Sequence, residues 1–324
     1  MRITFLVLAP FGMVVPAAGA QWNTFLPDNT EAVIVLNVRQ ISESPVFKKY
    51  FREQWENAAR NNPEDRPFFN MMDADSIKEI VRITLALPPG PFDKKALVIV
   101  QGRFDLAKLK AVAEALARTT PITVKIRPAG KIPLYEIQLD DPPNPFLFAA
   151  FPDKETVVAS PSRDAILDVI AKASGKKKMQ INPGLLSLVN SAHSTQGIWW
   201  AGKIQDAWKT DLGKMPQLKA FAPKMETFGG GIAFTDSIKA GLHVQMQENQ
   251  AAVDFKQALE LSKTLGNVMI MTSPMLKDHA PVLKEILTAL QFNHDKGVVG
   301  MEVTIPESLI EKGLSKKGTL EESK

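Results

Sequence analysis

The segment 228–247, FGGGIAFTDSIKAGLHVQMQ, decides the fold class. Its second part alternates polar residues or glycine with four apolar residues: Ala240, Leu242, Val244 and Met246. A period of two is typical of a β-strand that buries one face. Asp236 and Ser237 separate this strand from a second β-rich run at 228–234. The segment therefore predicts an antiparallel hairpin.

The first half of the chain predicts a similar hairpin, with strands at Arg82–Leu87 and Ala96–Gly102 around a Pro-Gly turn. Upstream, Glu31–Arg39 carries apolar residues on both faces, which predicts an inner strand covered on both sides. Ser162 is positioned to cap a helix at Arg163–Ala173.

A further helix is predicted at Gln250–Leu265. Four of its apolar residues are spaced so that they share one inward face: Ala252, Phe255, Leu259 and Leu265.

The order of predicted elements in Glu31–Ala173 recurs in Gly197–Gly313, which indicates a diverged internal duplication. We therefore predict an α+β fold with two β-α-β-β-α-type repeats. Its sheet or sheets are mostly antiparallel, with helices packed on one face. The predicted boundaries are a signal peptide at 1–20, a first repeat at 21–175, a linker at 176–183, a second repeat at 184–315 and a frayed tail at 316–324. Whether the repeats form one sheet or two units stays open at this point.

The first twenty residues are typical of a cleaved secretory signal peptide. Arg2 precedes the apolar run Ile3–Val15, which is too short to span a bilayer. Ala18 and Ala20 supply the small side chains that signal peptidase recognises, so cleavage after Ala20 is predicted. The expected location is the periplasm or the exterior, with no transmembrane segment left after cleavage.

Composition narrows the function classes. The sequence contains no cysteine, which excludes disulfides and thiolate chemistry. The net charge of +4 is small and dispersed, so nucleic acid is not expected as a partner. The one basic run, Lys176–Lys178, is interpreted as a solvated linker.

No residue pattern predicts catalysis, a cofactor or a metal. The four histidines, His193, His243, His279 and His294, are too far apart for a paired ligand motif. The glycines 229–231 continue into a strand rather than a helix, so they favour a bulge or a close backbone approach over a phosphate site.

Three tryptophans form the one candidate contact surface. In a strand, Trp199 and Trp200 point to opposite faces, and Trp208 follows closely. Exposed rings could bind a carbohydrate or a partner, whereas core packing on both faces explains them equally well.

Several stretches carry a family resemblance: LPDNTEAVIVLNVRQI at 26–41, SPVFKK at 44–49, ALVIVQGRFD at 96–105 and the turn Ser160–Ser162. They resemble a family of exported planctomycete proteins of unassigned function. The resemblance implies an exported two-repeat α+β protein and assigns no catalytic residue.

Three functions are compatible with these features. The favoured one is a non-catalytic exported protein that binds an unknown protein or envelope component, or that has a structural role. The second is a binder of an apolar or lipid ligand between sheet and helices. The third is a hydrolase whose groups converge only in the fold, for example around His243 or the Asp140–Asp141 turn.

Overall fold

Both predicted hairpins form, and they belong to one antiparallel sheet. The structure is a computed structural model, and it describes residues 25–53, 79–90, 92–105, 107, 111, 123–138, 146–180, 183–191, 196–276 and 279–321. Twelve strands are assigned within these ranges, in the order β11-β12-β10-β9-β8-β1-β2-β3-β7-β6-β5-β4. The two predicted repeats are therefore joined in a single sheet.

The strands are β1 (Ala32–Leu36), β2 (Ile80–Leu87), β3 (Leu97–Gly102), β4 (Thr123–Arg127), β5 (Leu134–Gln138), β6 (Phe146–Asp153), β7 (Thr156–Ser160), β8 (Ile198–Lys203), β9 (Met225–Phe234), β10 (Ser237–Met246), β11 (Gln291–Asp295) and β12 (Val298–Pro306). The α-helices are α1 (Val38–Glu43), α2 (Phe92–Lys95), α3 (Arg163–Ala173), α4 (Pro183–Ser191), α5 (Asp206–Gly213), α6 (Asn249–Thr272), α7 (Ala280–Ala289) and α8 (Glu307–Glu321). A π-helical turn covers Phe47–Phe51, and short 3₁₀ turns cover Ala222–Lys224 and Pro274–Leu276.

Strands β1 and β8 join the two halves at the centre of the sheet. They pair antiparallel, with Val33 opposite Ala201 and Val35 opposite Trp199. Ala32 and Val33 point to opposite faces, and both are fully buried. The predicted two-sided burial of this strand is therefore confirmed.

The strands are arranged alike on the two sides of this centre. Outward from it, one half runs β1-β2-β3-β7-β6 and continues with β5-β4, and the other runs β8-β9-β10-β12-β11. This is the order that an internal duplication predicts, and the duplication itself stays a prediction.

The α+β class and the antiparallel sheet are confirmed, whereas the placement of the helices is more complex than one covered face. In the first half, α3 and α4 pack against Val33 and Val158 on one face. In the second half, α5 and α6 pack against Val244. Val33 is opposite Ala201, Ala201 is opposite Gly229, and Gly229 is opposite His243, so these four positions lie on one face of the sheet. Val244 follows His243 in β10, so its side chain points to the other face. Helices α3 and α4 thus cover one face of the sheet in the first half, and α5 and α6 cover the opposite face in the second half.

Local sequence signals explain several of these elements. The hydroxyl of Ser162 accepts a hydrogen bond from the amide of Ala165, so the predicted cap and the helix Arg163–Ala173 are both confirmed. The predicted signal-peptidase recognition residues Ala18 and Ala20, and the predicted Asp140–Asp141 turn, lie outside the described residues.

Ion pairs and hydrogen bonds from Lys49 and Tyr50 connect the N-terminal part of the described chain to the last helix. The Lys49 ammonium lies 2.7 Å from Glu307 and 2.9 Å from Glu311, and the Tyr50 hydroxyl donates to the same two carboxylates. The π-helical turn is thereby connected to α8.

Candidate functional site

Helix α6 has a buried half and an exposed half. Its N-terminal half lies on the sheet, where Ala251, Ala252 and Phe255 are at most 3% exposed. Its C-terminal half exposes five large apolar side chains, which we call the α6 stripe: Leu261 (61%), Leu265 (55%), Val268 (53%), Met269 (64%) and Met271 (73%). Such a concentration of exposed apolar side chains on one helix typically marks a binding surface.

Helical geometry places the α6 stripe on the outer side of the protein. Leu261, Leu265 and Val268 follow one another at steps of four and three residues, so they share one face. The inner side contacts α7, because a Cβ on Gly266 would lie 3.3 Å from the Leu287 side chain. Leu261 and Val268 therefore point away from α7.

The surroundings of the stripe carry little free charge. The Lys256 ammonium lies 2.9 Å from the Glu260 carboxylate. The Lys263 ammonium donates to the Leu290 carbonyl at 2.5 Å, at the C-terminal end of α7. Residues 264–276 contain no ionisable side chain. A partner would therefore meet the stripe by burying apolar surface, without a charge to desolvate.

Methionines make this surface adaptable. Met269 and Met271 are unbranched and polarizable, so they can pack against surfaces of different shape. The five stripe side chains carry no proton donor, nucleophile or ligand atom for a hard cation.

The three tryptophans of the predicted contact surface are less exposed than the α6 stripe. Trp199 is 5% exposed and belongs to the core of the first half. Trp200 is partly exposed on the opposite face of β8. Trp208 packs edge-on against Phe228, with ring centroids 5.7 Å apart. Two of the three rings thus pack against the core, and a contact role for the three stays a prediction.

The imidazole of His243 packs over a glycine of the paired strand. A Cβ on Gly229, the residue opposite in β9, would lie 2.3 Å from the His243 Nε2 atom, so the imidazole lies directly over the glycine. Burial lowers the pKa of His243, which favours the neutral ring at pH 7. Within the described ranges, no group of three or more histidine or acidic residues is arranged to hold a metal ion.

A second charged cluster secures the N-terminal segment. The buried Lys172 ammonium lies 2.7 Å from Asp28 and 2.6 Å from Asp168, and it donates to the Leu26 carbonyl at 2.6 Å. Lys177 pairs with the same two carboxylates. Burial would raise the pKa of Asp28, but the hydrogen bonds from the two lysines outweigh it and lower the pKa to about 2.

This cluster changes the interpretation of the basic run at 176–178. Lys177 is 41% exposed, as the prediction of a solvated run requires, and it also forms ion pairs with Asp28 and Asp168 that the prediction did not include. Its partner Asp28 lies far away in sequence, and a local charge count does not show such a contact.

The α6 stripe is not among the sites predicted from the sequence. The predicted helix ends at Leu265 with Leu265 pointing inward, whereas α6 continues to Thr272 and Leu265 is 55% exposed. The charge-free run 264–276 was the available signal, because it keeps apolar residues at helical spacing beyond the predicted end. No described helix combines the length and hydropathy needed to cross a membrane.

Solved structures of TP0453 share this fold. Its crystal form III matches with a TM-score of 0.53 at 9% sequence identity, over 90% of this chain and 96% of that chain. Crystal form IV matches with a TM-score of 0.50 at 9% identity, over 89% of this chain and 94% of that chain. No known family description matches the sequence, and no curated protein is similar to it. At this identity the likeness shows a common fold only.

Proposed function

We propose that this chain is an exported, non-catalytic binding protein that uses the α6 stripe as its contact surface. The observation that carries the proposal is the exposure of Leu265, Met269 and Met271, each more than half exposed on one helix. Leaving such side chains in water costs free energy that a partner would recover.

The export part of the proposal rests on the sequence. The apolar run Ile3–Val15 followed by Ala18 and Ala20 is typical of a signal peptide, and the absence of cysteine suits a fold that needs no oxidative step. We propose that the mature chain begins at Gln21 and acts in the periplasm or outside the cell, as the resemblance to exported planctomycete proteins also implies.

The helix that carries the α6 stripe is fixed to the rest of the protein by buried side chains and a hydrogen bond. Ala252 and Phe255 anchor the same helix to the sheet, and Lys263 connects it to the end of α7. A rigid support lowers the entropy lost on binding, so an exposed helix held in this way is a suitable binding element.

Site-specific photo-crosslinking in the producing cell tests this function. A photo-reactive amino acid replaces Leu265 in one variant and Met215 in the other. Met215 is the matched control because it is an apolar residue that is 50% exposed after α5, away from the stripe. We expect a covalent adduct at position 265 and none at position 215, since only the first position lies in the proposed contact.

The mass of the adduct identifies the partner. An adduct with one identified protein, a second copy of this chain included, at position 265 alone supports a binding role for the stripe. Equal labelling at both positions, or none at position 265, would show that the stripe is not a contact surface.

A further inference from the structure

Three residues of the α6 stripe and the last residue of the helix have a self-complementary spacing. Leu261, Leu265 and Val268 of the stripe, followed by the polar Thr272, lie at steps of four, three and four residues. This is the spacing of a helix–helix seam in a coiled coil. The pattern reads the same in both directions, so an antiparallel copy places position 261 opposite 272 and position 265 opposite 268.

An antiparallel pair of this kind would be free of charge conflicts. Across the seam, position 260 faces 273, so Glu260 faces an uncharged serine. Lys263 and Ile270 lie on the inner side of α6, where Lys263 donates to the Leu290 carbonyl and Ile270 is 8% exposed. Met269 lies opposite Thr264, and Met271 lies opposite Ser262. Like charges therefore do not oppose each other along the exposed half of the helix.

The charge of α6 favours a protein partner over an anionic lipid surface. Helices that lie on membranes carry an excess of lysine or arginine on their polar face. In contrast, α6 contains two lysines and two acidic residues, and both lysines already have partners in Glu260 and the Leu290 carbonyl. The helix has no net charge to attract an anionic headgroup.

The apolar area is suited to a weak dimer. The exposed fractions of the five stripe side chains correspond to roughly 400 Å² of apolar surface on each copy, if a methylene group accounts for about 30 Å². The total surface buried by two identical stripes and their polar rims then approaches ~1,000 Å², the lower limit for a specific interface. An isologous contact buries the same patch on both copies.

We propose that the occupant of the α6 stripe is a second copy of this chain, packed through α6 in antiparallel orientation around a two-fold axis between positions 265 and 268. The inference rests on the proposed binding role of the stripe and names its partner.

Sedimentation velocity across protein concentrations from about 1 to 200 μM tests self-association of the full mature chain, in the micromolar range expected for weak contacts. We expect a reversible dimer, whose dissociation constant rises at least tenfold in Leu265→Lys. Met215→Lys adds the same charge at an exposed site away from the stripe, and it should dimerise like the parent protein. Circular dichroism melting of both variants confirms that they are folded.

The absence of native cysteine allows the orientation to be tested. Leu265→Cys and Val268→Cys are prepared as separate proteins and oxidised alone and as a mixture. Antiparallel packing predicts that the mixture forms the crosslinked heterodimer faster than either protein forms a homodimer. A parallel seam would give rapid homodimers instead, and it would overturn the proposed geometry.

The outcomes distinguish the binding role of the α6 stripe from the identity of its partner. A strictly monomeric parent protein at 200 μM, together with a crosslink from position 265 to a different protein, would overturn the second-copy proposal and leave the binding role intact. Binding of the monomer to vesicles of phosphatidylcholine and phosphatidylglycerol that is lost in Leu265→Lys would identify a lipid surface as the occupant and overturn it as well.

Discussion

Replacing Lys172 by methionine is expected to lower the free energy of unfolding by about 3 kcal/mol, because it removes one partner from a buried ionic cluster. The ammonium contacts Asp28, Asp168 and the Leu26 carbonyl, and its side chain is 2% exposed. Methionine keeps the length of the stem and leaves the two carboxylates with Lys177 alone. Urea denaturation of the full mature chain measures the change.

Lys178→Met provides the matched control. Lys178 is exposed in the same run, so its replacement should change the free energy of unfolding by less than about 0.5 kcal/mol. If the Lys172 and Lys178 variants are equally stable, the cluster does not hold the N-terminal segment.

Acid provides an independent check on the same cluster. The pKa of Asp28 is about 2 in the folded protein and 3.8 as its ordinary value. A lowered pKa stabilises the fold above pH 4, and this contribution is lost as the pH falls towards 2. We expect the loss of stability between pH 4 and pH 2 to be smaller in Lys172→Met, since Asp28 then has one lysine fewer.

The second large effect is expected for Gly230→Ala. A Cβ at this position would lie 2.2 Å from the Gly241 carbonyl oxygen and 3.0 Å from the Leu242 Cα. Both are backbone atoms of the paired strand β10, so β9 and β10 would have to separate locally. We expect a loss of about 3 kcal/mol in the free energy of unfolding, at the upper end for overpacking.

Gly241→Ala tests the same substitution on the paired strand. The nearest neighbours of a Cβ there are 3.9 Å away, at Glu302 and Met301. Alanine should be neutral or stabilise the strand by about 0.5 kcal/mol, because glycine loses more backbone entropy on folding. Equal effects of the two substitutions would contradict the close approach of β9 and β10 at Gly230.

The elements that could be predicted from sequence are those with a local cause. The hairpin at 228–247 follows from apolar residues at every second position and a polar turn, and it forms as β9 and β10. Helix α3 has the predicted bounds because Ser162 provides the cap. Periodicity and capping act over a few residues, so one sequence is enough to show them.

The features that could not be predicted depend on what lies outside a helix or strand. Leu265 has the spacing of a core residue, yet it is exposed because no described element covers that side of α6. A hydrophobic pattern shows which residues share a face, and it does not show whether the fold covers that face. The pairing of β1 with β8 and the partners of Lys177 likewise depend on contacts between distant segments.

The most direct test of the α6 stripe as a self-binding surface is hydrogen exchange of the full mature chain at about 1 and 200 μM, the two ends of a range that spans weak association. We predict that amides in 261–272 exchange at least about tenfold more slowly at the higher concentration, while those in 251–256, already packed on the sheet, are unchanged. Equal exchange of 261–272 at both concentrations, or protection confined to another part of the chain, would contradict the account.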